Sequence, residues 1–223
     1  MKIVRLGKRG TLFTFQDGDS LFSQDTCVYL INAGDKLFLC DTHVGPKSME
    51  VVKDYINAEG LGNKEVIVFN THSDWDHIWG NCAFTDSIII AHDSCRRLIL
   101  ENGEKELEKF KGIYHDGSFG LKLPNLTFDS RLNFEDYGIE FIYAPGHTVD
   151  SAICYDKEDS VLFVGDLVEY PEPYLQYENL EVYIKSLEYI KSIKAGTVIS
   201  GHSGIVDEDL INKNISYIKK QMK

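Results

Sequence analysis

A chain of 223 residues with 43% hydrophobic content can bury a sizeable core, and a single domain over residues 1–223 is the expectation. A formal charge of −12 with a pI near 5.0 excludes general affinity for phosphate backbones or anionic membranes, because such partners need a basic face; neither nucleic acid nor a membrane is expected as a partner. The five cysteines (Cys27, Cys40, Cys82, Cys95, Cys154) form no CxxC pair, the basic start MKIVRLGKRGTLFTF leads into no signal-peptide core, and no run of about 18 apolar residues occurs, so reduced thiols and a cytoplasmic location are expected.

In chain order, residues 26–45 (TCVYLINAGDKLFLCDTHVG) read as two strands around an Ala-Gly-Asp turn, the second ending at Asp41. Residues 46–60 read as a helix with a proline near its start, apolar Val51, Val52, Tyr55 and Ile56, and a stop at Gly60. The strand EVIVFN (65–70) runs directly into THSDWDHIWGN. SIIIAH (87–92) reads as a strand, 94–114 as a helix broken at Gly103, and 115–138 as a polar, turn-rich stretch. Three β-type segments follow, IEFIYAP, SAICYD and SVLFVGD, then a helix over 178–194 and a strand over 197–202. A closing helix over 207–223 has acids first and lysines last, as the helix dipole favours. Strands and helices alternate without repeats or a low-complexity linker, which predicts a layered α/β or α+β domain.

Asp41, His72, His147, Asp166 and His202 each stand at or just past the C-terminal end of an apolar β-type run. Strands that repeatedly finish in His or Asp predict one polar site gathered at a common sheet edge. His72 and His77 are five apart, so they share no helix face and need a curled loop. Imidazole nitrogen and carboxylate oxygen suit zinc, iron or manganese, and a two-metal site takes roughly seven or eight contacts. His72, Asp74, Asp76, His77, His147, Asp166 and His202 supply that number. His43, His92 and His115 are lone histidines that read as packing or surface residues, with His43 the best placed for a pocket rim. Trp75 and Trp79 read either as core or as an apolar wall over the metals, and Glu169 and Glu172 as solvated.

THSDWDH, APGHTVDS, FVGD and ISGH, in that order with LCDTHVG before them, resemble the metallo-β-lactamase superfamily, whose opening motif reads H-x-H-x-D-H. The resemblance spans about residues 26–203. It implies an α+β fold, an αββα sandwich of two mixed β-sheets flanked by helices, with a metal site at one edge between the sheets. It also implies two divalent ions, the first on His72, residue 74 and His147, the second on Asp76, His77 and His202, with Asp166 bridging. Asp41 resembles a residue behind the ligands that orients a histidine or steadies the loop. Asp166 stands where the antibiotic-cleaving branch often has cysteine, so the site is more similar to the glyoxalase II, lactonase and phosphodiesterase branches.

One position departs from the family pattern: its second histidine is Asp74 here. Three carboxylates (Asp74, Asp76, Asp166) set against two divalent ions leave a formal charge of about +1, one less than the usual set. That predicts a weaker Lewis acid at the first metal and a shift from zinc toward iron or manganese. Flavodiiron relatives also place a carboxylate at this position. Aspartate is the shorter side chain, which leaves two outcomes for the first site, filled or weak.

The resemblance implies a metal-dependent hydrolase that turns a hydroxide held between the metals on a small ester, thioester, lactone or phosphodiester. Asp76 would be both ligand and catalytic residue, orienting the nucleophile and passing a proton. Tyr170, Tyr174 and Tyr177 fall where relatives often present substrate-contacting residues, and a phenol there can donate to a developing oxyanion. Two other readings stand beside this one: a flavodiiron-like diiron redox protein without its flavodoxin domain, and a non-catalytic ligand sensor. No sequence feature specifies the oligomeric state.

Overall fold

The structure, a computed structural model, describes residues 1–16, 25–114, 116–118 and 120–222. It begins with a hairpin ahead of the first predicted strands, β1 (Lys2–Leu6) with β2 (Gly10–Phe15). Asp159 pins the hairpin turn, its Oδ2 accepting the N–H of Lys8 at 2.7 Å and of Arg9 at 2.8 Å. β3 (Thr26–Ala33) and β4 (Lys36–Cys40) turn through Gly34 at φ 69°, a left-handed conformation that glycine adopts without steric cost. After α1 (Pro46–Ala58) come β5 (Glu65–Phe69), the one-turn α2 (Trp75–Ile78), a 3₁₀ turn at Trp79–Ala83, β6 (Ile88–His92) and α3 (Asp93–Phe110). Short strands β7 (Leu126–Phe128) and β8 (Arg131–Phe134) lie inside the stretch read as turns, followed by β9 (Ile139–Tyr143), β10 (Ala152–Asp156) and β11 (Val161–Phe163). The chain closes with α4 (Leu180–Ile193), β12 (Thr197–Ser200), β13 (Gly204–Val206) and α5 (Glu208–Gln221), the last capped by Asp207.

Strands β1 to β7 form one sheet in chain order, antiparallel as far as β4 and parallel from β4 to β7. The second sheet runs β13-β12-β11-β10-β9-β8, with β11 and β12 parallel and its other pairs antiparallel. Because side chains alternate along a strand, β3 sends Cys27, Tyr29 and Ile31 into the space between the sheets and Val28 and Leu30 toward α1. Between the sheets Phe69 and Phe141 stack at 4.1 Å. Met49, Val52 and Ile56 of α1 cover the outer face of the first sheet, while Tyr183 and Leu187 of α4 and Ile211, Ile215 and Ile218 of α5 cover the second. Both faces of the central strands are thereby dry, which is why these strands read as unbroken apolar runs. The architecture is the αββα sandwich of two mixed sheets that the motifs implied.

The break expected at Gly103 does not occur: α3 runs through it. Gly103 is buried, and a Cβ there would lie 2.6 Å from Leu121 Cδ1, so the glycine admits the following loop against the helix instead of ending it. His115 lies outside the described residues. No helix among the described residues is long and apolar enough to cross a membrane.

Candidate metal centre

Strand ends from both sheets meet at one rim. β4 delivers Asp41 and β5 delivers Thr71 and His72, while β9, β11 and β12 lead into His147, Asp166 and His202. Backbone bonds stitch the rim together: Ala152 N–H to the Thr71 carbonyl at 2.8 Å, Cys27 N–H to Gly201 at 2.7 Å, Gly201 N–H to Gly165 at 2.7 Å, and Thr42 N–H to His77 at 2.8 Å. The loop after His72 curls into α2, which turns Asp76 and His77 back toward His72.

Asp166 Oδ2 is the hub. It lies 3.0 Å from His202 Nε2, 3.2 Å from His77 Nε2, 3.7 Å from His72 Nε2 and 3.8 Å from His147 Nε2. On one side Asp74 Oδ2 stands 3.5 Å from His72 Nε2 and 3.3 Å from His147 Nε2. On the other, Asp76 Oδ2 stands 3.2 Å from His202 Nε2 and 3.7 Å from His77 Nε2, and the two imidazole Nε2 atoms are 3.3 Å apart. Donor atoms about 2.0–2.1 Å from a four-coordinate ion lie roughly 3.3–3.4 Å from one another, so these spacings are those of coordination edges. Two of the atoms, His72 Nε2 and Asp166 Oδ1, are buried without any hydrogen-bond partner. Such orphans are costly, and a cation satisfies them. Three groups, His72–Asp74–His147, His72–His77–Asp166 and Asp76–His77–His202, each keep their ligating atoms within 4.8 Å of one another. The donor set therefore fits two ions sharing Asp166, and Asp74 is within reach of the first.

The outward nitrogen of each imidazole is held by a second set of groups. His77 Nδ1 pairs with Asp41 Oδ2 at 2.9 Å, His72 Nδ1 with Thr71 Oγ1 at 2.9 Å, His202 Nδ1 with the Asp25 carbonyl at 2.9 Å and His147 Nδ1 with the Tyr174 carbonyl at 3.3 Å. This places an N–H outward and a lone pair inward on each ring, the tautomer a metal ligand needs. Asp41 supports two of the four, because Thr71 also donates to it through Oγ1 and through its backbone N–H, both at 2.8 Å. Asp41 is fully buried with φ at 62°, a left-handed geometry that aspartate tolerates better than most residues.

Without an ion, the centre holds protons instead. Burial alone would lower the histidine pKa values, but the surrounding carboxylates outweigh it: His147, beside Asp74 and Asp166, rises to about 9, and His77 and His202 rise well above the usual range. A histidine raised above its unfolded value of 6.5 contributes stability that is whole below that pH and lost as pH climbs through its folded pKa. Denaturant unfolding of metal-free protein should accordingly show stability falling between pH 6.5 and 9, by up to roughly 3 kcal/mol for His147. Metal binding runs the opposite way, tightening as pH rises because the ion displaces those protons.

Close packing around the hub also constrains glycine. A Cβ on Gly201 would lie 2.1 Å from Asp166 Oδ1 and 2.9 Å from His77 Cε1. Gly201→Ala should displace both side chains and weaken metal binding by about 10-fold or more, measured by titration with a metal-sensitive dye. Unchanged affinity would show that the shell yields freely.

The remaining residues divide. Tyr170 and Tyr174 are 73% and 66% exposed. It is their main chain that the site uses: Tyr174 supplies its carbonyl to His147, and the Tyr170 N–H donates to Ser203 Oγ at 2.9 Å. Glu169 is buried and not solvated, its Oε2 accepting the Tyr174 N–H at 2.6 Å and so fixing that loop. Trp79 is core, whereas half-buried Trp75 stacks on Tyr114 at 4.9 Å and Phe110 at 5.7 Å beside Asp74 and Asp76. His92 caps α3 and stacks on Tyr143 at 3.9 Å, a packing role. His43 is buried on Phe15 and bonded through Ser48 to Asp116, with its Nε2 unpartnered and its pKa lowered to about 4, chiefly by burial. Sequence reasoning did not find Thr71 or Gln176; the latter donates to Asp74 Oδ2 at 3.0 Å. A hydroxyl directly before His72 was the available signal for Thr71, and nothing local marks Gln176.

Residues 25–202 match the sequence model of the metallo-beta-lactamase superfamily. "Beta-lactamase-like protein 2 homolog" of Caenorhabditis elegans is 27% identical over 201 residues, covering 90% of this chain and 63% of that protein. Its namesake in Drosophila melanogaster is 26% identical over 192 residues, covering 84% and 61%. The chain thus spans about three-fifths of the length of these curated relatives. Among solved structures, DIM-1 metallo-beta-lactamase exposed to ceftazidime superposes with a TM-score of 0.78 at 19% identity, over 99% of this chain and 97% of that one. A metallo-beta-lactamase from Hirschia baltica gives 0.77 at 18%, over 97% and 96%. At those identities the likeness concerns the fold.

Proposed function

Because the chain belongs to the metallo-beta-lactamase superfamily, we propose that it is a metal-dependent hydrolase that binds two divalent cations and cleaves a small ester, thioester, lactone or phosphodiester. The observation that carries this reading is the convergence of four histidine Nε2 atoms on Asp166 Oδ2, flanked by Asp74 and Asp76. His72, Asp74 and His147 would hold one cation, Asp76, His77 and His202 the other, and Asp166 both. Bound cations supply Lewis acidity toward the substrate's oxygen and lower the pKa of water toward neutrality. Asp76, buried against His202 and His77, orients the attacking oxygen and carries a proton to the leaving group. Trp75, stacked on Phe110 and Tyr114, limits water at the mouth of the site.

Asp74 supports a second reading. Its carboxylate adds negative charge at the first site and favours iron or manganese, as a diiron redox centre would require. Metal-free protein reloaded separately with zinc, iron and manganese, and assayed on a panel of the four substrate classes, tests both. Turnover that a chelator abolishes and a single metal restores is the expected result. Absence of hydrolysis across the panel with all three metals would overturn the hydrolase reading, and oxygen consumption by the iron form with a reductase would replace it.

A further inference from the structure

We infer that the substrate carries a cationic group, an ammonium or guanidinium, which this chain binds in a cavity on the outer side of Asp74; the inference rests on the hydrolytic reading of the metal centre. The cavity, about 240 Å³, is lined by Ser73, Asp74, Asn102, Glu106, Asp150 and Gln176 among others, and its lining includes no lysine, arginine or histidine. Three carboxylates therefore face one small space.

Asp150 is the informative one. It is 0% exposed, and neither of its carboxylate oxygens is hydrogen-bonded to a nitrogen or oxygen donor. An uncompensated buried carboxylate is costly, so a positive ligand is the simplest way to satisfy it. The Cys95 thiol, whose pKa burial and then Asp150 push well up, meets it as a neutral, weak hydrogen-bond donor and leaves its negative charge uncompensated.

The arrangement favours an organic cation over a metal ion. Among the described residues, the convergent ligand groups all belong to the histidine cluster, and Glu106 and Asp150 join none of them. A cavity lined by acids together with Ser73, Asn102 and Gln176, whose side chains carry hydroxyl and amide oxygens, suits the divergent N–H groups of an ammonium or guanidinium. Asp74 is the shared wall, since its Oδ2 also faces His72 and His147. A short alkyl arm whose cation sits here presents its scissile bond to the first metal site.

The test uses metal-loaded protein. In calorimetric titrations, butylguanidinium and butylammonium should bind at least about 10-fold tighter than neutral butanol, as hydrogen bonds to charged groups imply. In Glu106→Gln that preference should shrink by about 10-fold, and in Asp150→Asn likewise where the variant folds. An ester with an aminoalkyl arm should exceed its acetamido counterpart in kcat/KM by a similar factor, the ratio falling toward one in Glu106→Gln. Equal binding of cation and neutral probe, or a preference unmoved in Glu106→Gln, overturns the cationic site. Equal turnover of both esters overturns the substrate assignment while leaving the hydrolase standing. Cation binding without hydrolysis of either ester sustains the site and sinks the hydrolytic reading instead.

Discussion

Replacing Asp166 with alanine is expected to remove both cations and to lower turnover by about 10³-fold or more. Its Oδ2 lies within 3.0 to 3.8 Å of all four Nε2 atoms, so among the described residues it is the side chain placed to serve both proposed ions. Its loss also deletes one of the three carboxylates, Asp74, Asp76 and Asp166, whose charge would balance that of the proposed cations. Lewis acidity is worth several kcal/mol of transition-state stabilisation, and each 1.36 kcal/mol is a factor of ten, hence the magnitude. Elemental analysis alongside kinetics separates lost metal from lost chemistry. Asp166→Asn keeps the shape and removes the charge; two ions retained in it at unchanged affinity would refute the shared-ligand role.

Asp41→Ala should have the largest effect on stability, about 3–5 kcal/mol in urea unfolding of metal-free protein. Asp41 touches no candidate ion. It accepts the Thr71 N–H, the Thr71 hydroxyl and His77 Nδ1, all buried, and truncation strands all three donors. Alanine also tolerates φ 62° poorly, at a cost of roughly 1–2 kcal/mol. Asp41→Gly removes that backbone component and leaves the rest, so the glycine variant should be the less damaged of the two by about 1 kcal/mol. A loss under about 1 kcal/mol in both would show that the three donors find other partners.

The sandwich and the rim were legible because both rest on local signals. Central strands with two buried faces are continuous apolar runs, and five of them lead into Asp41, His72, His147, Asp166 and His202. The missed elements lack that signal for identifiable reasons. β1 is an edge strand that is largely exposed, so KIVRL shows no apolar run, and β7 and β8 are three and four residues long with half-wet faces. Gly103 read as a helix break because propensity is local, whereas its small size answers to Leu121 in a distant loop. Glu169 read as solvated because nothing nearby in sequence reveals that it accepts the Tyr174 N–H. Glu106, Asp150 and Gln176 come from three separate segments, and only the fold makes them neighbours.

The seam between the sheets has a consequence beyond chemistry. His72, Asp74, Asp76 and His77 hang from one sheet and His147, Asp166 and His202 from the other. An ion there would act as a rivet, so that prying the halves apart would first demand its release. At a hundredfold excess over the dissociation constant, that linkage adds about 2.7 kcal/mol to the folded state. Resistance to a protease should therefore follow free metal concentration, and starvation for the ion would shorten the lifetime of the chain.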